Sequence, residues 1–188
     1  MNGPTHVIGG VALASATICY TGLYFPELAV VPLVQTGLFL LGSSSSAILL
    51  DIDKKESTIS RKHKFISFFL RLVLTHRGFT HSLLSYLIFS TAVLIGLFWI
   101  PNGFGMALAL GLIMGYGSHL ILDALNPLGI PLLYPINFRL SILKIKTGSV
   151  MEYLFVSLLL ISIIISWDNI LESMLGFSIV EKMMGLIR

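Results

Sequence analysis

The residues able to do chemistry in this chain are histidines and carboxylates placed at the ends of its apolar runs. His6, Asp51, Asp53, His76, His81, His119, Asp123 and Glu152 are scattered in sequence, yet each falls where a hydrophobic segment begins or ends. An ionisable group at membrane depth costs about 2.5–3.5 kcal/mol at a helix centre, so a gathering of them at one level points to a use. Imidazole and carboxylate ligands without cysteine suit Zn²⁺ or another first-row divalent ion, whereas all-oxygen ligation would suit Mg²⁺ or Ca²⁺. These eight candidates are more than one catalytic ion takes, and are enough for two or three ions. Two ions about 3.5–4 Å apart clamp the attacking and leaving oxygens of a phosphate ester.

The strongest local motif is His119-x-x-x-Asp123, because residues four apart on a helix share a face and can reach one ion. A polar pair sealing a helix end is the plainer reading of those two residues. His76 and His81, within His76-Arg77-Gly78-Phe79-Thr80-His81-Ser82, diverge by roughly 140° on a regular helix. They converge only if residues 77–80 turn, which Gly78 permits, with Thr80 available to cap the helix that follows. Arg77 is suited to a phosphate, to a nearby carboxylate or to anionic headgroups. Asp51-Ile52-Asp53 follows Leu49-Leu50 directly, although Lys54, Lys55 and Glu56 already mark the water boundary. His6 and Glu152 are weaker taken singly, and His63, inside Arg61-Lys62-His63-Lys64, reads as a solvated member of a basic run. The serines at 43–46 and the glycines at 111, 115 and 117 read as small residues for close helix contact.

The elements that must position these residues are membrane helices. Hydrophobic residues make up 55% of the chain and charged ones 11%, with a mean hydropathy of +0.92, too apolar for an ordinary soluble domain. No charge occurs before Glu27, between Arg77 and Asp123, or between Glu152 and Asp168. The expected fold is an all-α integral membrane bundle of about five spans, at residues 7–24, 30–50, 82–100, 104–122 and 150–167. Links at 25–29 and 101–103 fit tight hairpins, and longer polar segments occupy 51–81 and 123–149. Ten of the twelve basic residues lie in those two long segments, which places them and the N-terminus in the cytoplasm. Every span then delivers a candidate ligand to its cytoplasmic end. Residues 1–168 form the membrane-embedded domain, and 169–188 read as an amphipathic tail. The single Cys19 has no partner for a disulfide and suits a small buried site. No cleaved secretory signal is expected, because no basic region precedes the first apolar run.

The His near the N-terminus, Asp51-Ile52-Asp53, His76-Arg-Gly-Phe-Thr-His81-Ser82, the Gly115-Tyr-Gly-Ser-His119-Leu-Ile-Leu-Asp123 run and Asn126-Pro-Leu-Gly-Ile-Pro-Leu-Leu-Tyr-Pro135 resemble the YdjM-type family of bacterial membrane-bound metal-dependent hydrolases. The similarity covers roughly residues 5–155. More distantly, the order of ligands looks like the zinc-dependent phospholipase C and P1-nuclease superfamily, whose members hydrolyse phosphodiesters with zinc in a helical bundle. The resemblance implies metal-ligand roles for His6, Asp51, His76, His81, His119, Asp123 and Glu152, with Asp53 a candidate base. It also implies the bacterial inner membrane as location.

The expected function is therefore a membrane-bound metal-dependent hydrolase of phosphoesters, and a lipid is a plausible substrate for a site at headgroup depth. Membrane lipids are the expected partners, and no nucleic acid is. A membrane metal carrier or sensor is the alternative from another class. Transporters place ligands near the midplane at broken helices, whereas here they sit at span ends.

Overall fold

A computed structural model describes residues 1–24, 33–53, 78–136 and 138–175, with positions 178, 180, 182 and 185 beyond them. The described residues form five helices: α1 (Gly3–Tyr24), α2 (Leu33–Leu49), α3 (Leu83–Leu97), α4 (Phe104–Ala124) and α5 (Val150–Leu175). No strand occurs among them, although Ile130 and Leu140 form an isolated antiparallel bridge. The protein is an all-helical membrane bundle.

Helices α1, α4 and α5 are long and apolar enough to cross a membrane. Helices α2 and α3, at 17 and 15 residues, are shorter. At 1.5 Å per residue they extend about 26 and 22 Å, against a hydrocarbon core of about 30 Å. The sequence reading carried the third span to residue 100, but the helix stops at Leu97. Pro101 disfavours helical backbone at Ile100, and Asn102 and Gly103 take left-handed angles, φ 59° and 70°, that reverse the chain into α4. The 25–29 link lies outside the described residues.

Helix α4 is the hub, packing against α1, α2 and α3, while α5 leans on α1. Half of the most apolar window of α4 is buried (50%), against 11% for α5, so α4 runs through the interior and α5 faces lipid. The approach of α2 to α4 depends on missing side chains. A Cβ at Gly115 would collide with the Ser43 carbonyl and the Ser46 hydroxyl, and one at Gly111 with the Phe39 carbonyl. The serine run uses this closeness: Ser43 Oγ donates to the Gly10 carbonyl at 2.9 Å, and Ser46 Oγ to the Leu112 carbonyl at 2.6 Å. Between spans such bonds satisfy groups that lipid cannot.

The helix ends that carry the buried ionisable groups are held by polar caps. Asn2 Oδ1 accepts from the Thr5 backbone N–H at 2.8 Å, so Asn2 caps α1. Ser82 caps α3 by accepting from the Ser85 backbone at 3.2 Å. The segment after α4 folds back over that helix's C-terminal end: Ile142 N–H donates to the Ala124 carbonyl at 2.8 Å and Ile145 N–H to the Leu125 carbonyl at 2.7 Å. Asn126 organises the turn between them, accepting from Leu128 N–H at 3.1 Å and donating to Thr147 Oγ1 at 3.1 Å. Helix α5 runs unbroken from Val150 through Asp168 to Leu175, so the 168/169 boundary expected from sequence falls within a helix.

Candidate metal centre

His6 enters from the first turns of α1, His81 from a 3-10 turn ahead of α3, and His119 and Asp123 from the last turns of α4. All four side chains are buried, with 0% relative exposure for the three histidines and 1% for Asp123. His6, His119 and Asp123 each present a ligand atom within 4.8 Å of the others. His81 joins them, its Nε2 3.2 Å from His119 Nε2 and 3.6 Å from Asp123 Oδ2. Two further edges are His119 Nε2 to Asp123 Oδ2 at 3.7 Å and His6 Nε2 to Asp123 Oδ1 at 3.5 Å. Tetrahedral ligands at about 2.0–2.1 Å from a Zn²⁺ lie about 3.3–3.4 Å apart, close to the 3.2, 3.6 and 3.7 Å edges among His81 Nε2, His119 Nε2 and Asp123 Oδ2, with His6 on the other carboxylate oxygen.

Two details bear on an ion at this cluster. Neither ring nitrogen of buried His6 makes a close hydrogen bond: Nε2 has only Asp123 Oδ1 at 3.5 Å, and Nδ1 has no polar partner. Such a group costs about 1–3 kcal/mol when left unmet, and native interiors rarely tolerate it. The ring is held nonetheless, stacked on His119 with centroids 3.8 Å apart and planes 16° from parallel. The second detail is the His119 tautomer. Its Nδ1 lies 2.6 Å from the Ala47 carbonyl, which can only accept. The proton therefore sits on Nδ1, and the Nε2 lone pair faces the cluster, free to ligate an ion or, without one, to accept from His81 Nε2 at 3.2 Å.

Of the other residues proposed from sequence, Glu152 is engaged elsewhere. Glu152 is buried, but its carboxylate is committed to the start of α1: Oε1 accepts from Asn2 N–H at 3.1 Å and Thr5 Oγ1 at 2.9 Å, and Oε2 from Gly148 N–H at 2.6 Å. Asp51 is buried at the start of the 3-10 turn Leu50–Asp53, one helical turn beyond Ala47. His76 and Arg77 lie outside the described residues, as does the side chain of Asp53.

Sequence reasoning missed three parts of this arrangement. The Met1 ammonium donates to Asp123 Oδ1 at 3.0 Å, with the Met1 side chain packed against Leu122, Leu125 and Ile145. The Ala47 carbonyl orients His119, and no residue-type pattern marks a backbone acceptor. Tyr116 locks the His81 turn to α4, its hydroxyl donating to the Thr80 carbonyl at 2.6 Å and meeting Ser85 Oγ at 2.8 Å. Tyr116 lies three residues before His119 on α4, so its sequence position was a usable signal.

Residues 1–184 match the YdjM inner membrane protein family. The uncharacterized protein YvsG of Bacillus subtilis (strain 168) is 36% identical over 157 residues, covering 82% of this chain and 86% of its own. The inner membrane proteins YdjM of Escherichia coli (strain K12) and Shigella flexneri are each 40% identical over 113 residues, 57% of this chain and 55% of theirs. The chain thus spans about half the length of those two relatives. No solved structure matches it.

Proposed function

The chain belongs to the YdjM inner membrane protein family, and from that footing we propose that it is a metal-dependent hydrolase of phosphoesters working at the cytoplasmic face of the membrane. The observation that carries the metal is the convergence of buried His6, His119 and Asp123 ligand atoms within 4.8 Å, with no close hydrogen bond to the His6 ring. Asp123 offers Oδ2 on the side of His81 and His119, while its Oδ1 lies between His6 and the Met1 ammonium, so Oδ2 is the oxygen that would hold an ion. Zn²⁺ suits this donor set. A divalent ion held there supplies Lewis acidity to a phosphoryl oxygen and lowers the pKa of water. The chain's own part is to hold three imidazoles and a carboxylate rigidly, with Ala47 fixing the His119 proton and Glu152 holding the segment that presents His6. Arg77 and Asp53 remain the candidates for phosphate binding and proton transfer.

Metal analysis of purified protein, paired with an assay on phosphomonoesters, phosphodiesters and phospholipids, tests this reading. His119→Ala and Asp123→Ala should each lose bound metal and metal-dependent turnover, and His63→Ala should change neither. The complete burial of the four side chains favours one competing reading, a metal carrier or sensor. That reading prevails if the wild type binds metal stoichiometrically yet hydrolyses nothing in the screen.

A further inference from the structure

Helices α2 and α3 both lean on α4, and a groove of about 400 Å³ lies between them beside the metal centre. Its floor is buried and its rim is not: Ser46, Ser85 and Tyr116 are 1%, 6% and 5% exposed, whereas Leu49 and Ile88 are 44% and 55% exposed. We propose that this groove holds one acyl chain of a membrane lipid, entering sideways from the bilayer, with the lipid's polar end at the His/Asp cluster.

The groove adjoins the His/Asp cluster through residues next to the cluster's own, although none of the four lines it. Thr80 lines the groove, and its Oγ1 lies 3.1 Å from His81 Nδ1. Ser46 and Leu50 line it too, next in sequence to Ala47 and Asp51, and Tyr116 lies one turn before His119. Away from the centre the lining turns to Ile88, Phe89 and Ala92 of α3. From Ser85 to Ala92 the helix advances about 10 Å, the depth to which a chain would be followed.

The occupant follows from size and polarity. At about 400 Å³ the groove has room for a single hydrocarbon chain. The hydroxyls along it are engaged within the protein: Ser46 Oγ with the Leu112 carbonyl, Ser85 Oγ with the Ser82 carbonyl, and Tyr116 with the Thr80 carbonyl. It therefore asks nothing polar of its occupant. The exposed rim residues Leu49 and Ile88 belong to the apolar helices α2 and α3, so a chain of hydrocarbon meets apolar surface at the mouth as well.

As a statement about substrate this rests on the hydrolase reading, but as a statement about binding it does not, so the test has two arms. Full-length protein is reconstituted in phosphatidylcholine vesicles carrying a phosphatidylcholine with a mid-chain diazirine, and crosslinked peptides are mapped. Crosslinks should concentrate on Leu49, Ile88, Phe89 and Ala92 rather than on the exposed Leu158 and Ile161 of α5. Filling the groove from its exposed rim, by Ala92→Trp or separately Ile88→Trp, should lower only the groove crosslinks. Equal labelling of groove and α5, or labelling unchanged in both variants, overturns the proposal. In the second arm, Ala92→Trp should raise KM for a long-chain phospholipid by about tenfold, what losing contact with two methylene groups costs. It should leave hydrolysis of the water-soluble bis(p-nitrophenyl) phosphate unchanged. Equal effects on both substrates overturn the groove as a substrate site. If wild type hydrolyses neither, the hydrolase reading falls and the crosslinks alone decide the groove.

Discussion

Replacing His6 with phenylalanine separates ligation from packing, because the two readings of that residue differ in sign. The phenyl ring can keep the 3.8 Å stack on His119 while removing the ring nitrogens, of which Nδ1 has no polar partner. In metal-free protein the loss of that one unmet group relieves about 1–3 kcal/mol. The substitution adds an overpacking cost of about the same size, since the ring is larger in a fully buried site. The metal-free variant should therefore unfold within about 2 kcal/mol of the wild type. Metal addition should behave quite differently. An ion present at 100 times its dissociation constant stabilises the folded state by about 2.7 kcal/mol. At about 2–4 °C per kcal/mol for a domain of this size, the wild-type Tm should rise by about 5–11 °C on adding Zn²⁺ to chelator-treated protein. His6→Phe should lose most of that rise. Thermal unfolding in detergent, with and without chelator, reads both quantities. A variant that keeps the full rise, and whose metal-free form is several kcal/mol less stable, would show His6 to be a packing residue and refute the reasoning.

Three other expectations follow from the same structure. A reporter fused after Lys55 should read cytoplasmic and one at Asn102 external, because ten of twelve basic residues lie in the two long polar segments; the opposite result moves the chemistry to the other face. Gly115→Ala should destabilise the bundle by about 1–3 kcal/mol, since its Cβ meets the Ser43 backbone rather than a side chain that can swing away. Unfolding in detergent checks this, and Gly37→Ala, where a Cβ meets nothing, is the control. Glu152→Gln should cost about 1–3 kcal/mol and weaken metal binding, because an amide nitrogen would face a donor in place of one oxygen. Titration with Zn²⁺ distinguishes this from His119→Ala, which should abolish binding rather than weaken it.

Sequence alone determined the class of molecule and the helix ends that carry its ionisable groups, because hydropathy and charge are summed over neighbours in the chain. The charge-free stretch between Arg77 and Asp123 sufficed for the hairpin of α3 and α4, and the spacing of His119 and Asp123 placed both on one helical face. Helix lengths were less legible. Helix α3 stops at Leu97, ahead of Pro101 and the left-handed Asn102–Gly103 turn, and window hydropathy is blind to backbone conformation. Only tertiary structure decided which groups meet. His6 and His119 are 113 positions apart and touch because glycines let α2 close on α4 while α1 packs against both. It also decided what each carboxylate does. Asp123 and Glu152 look alike in sequence, each acidic at the end of a span. Asp123 turns its two oxygens toward three imidazoles, whereas Glu152 spends its own on Asn2, Thr5 and Gly148. The difference lies in backbone donors and acceptors brought in from distant segments. Every residue carries those groups, so no residue type announces them.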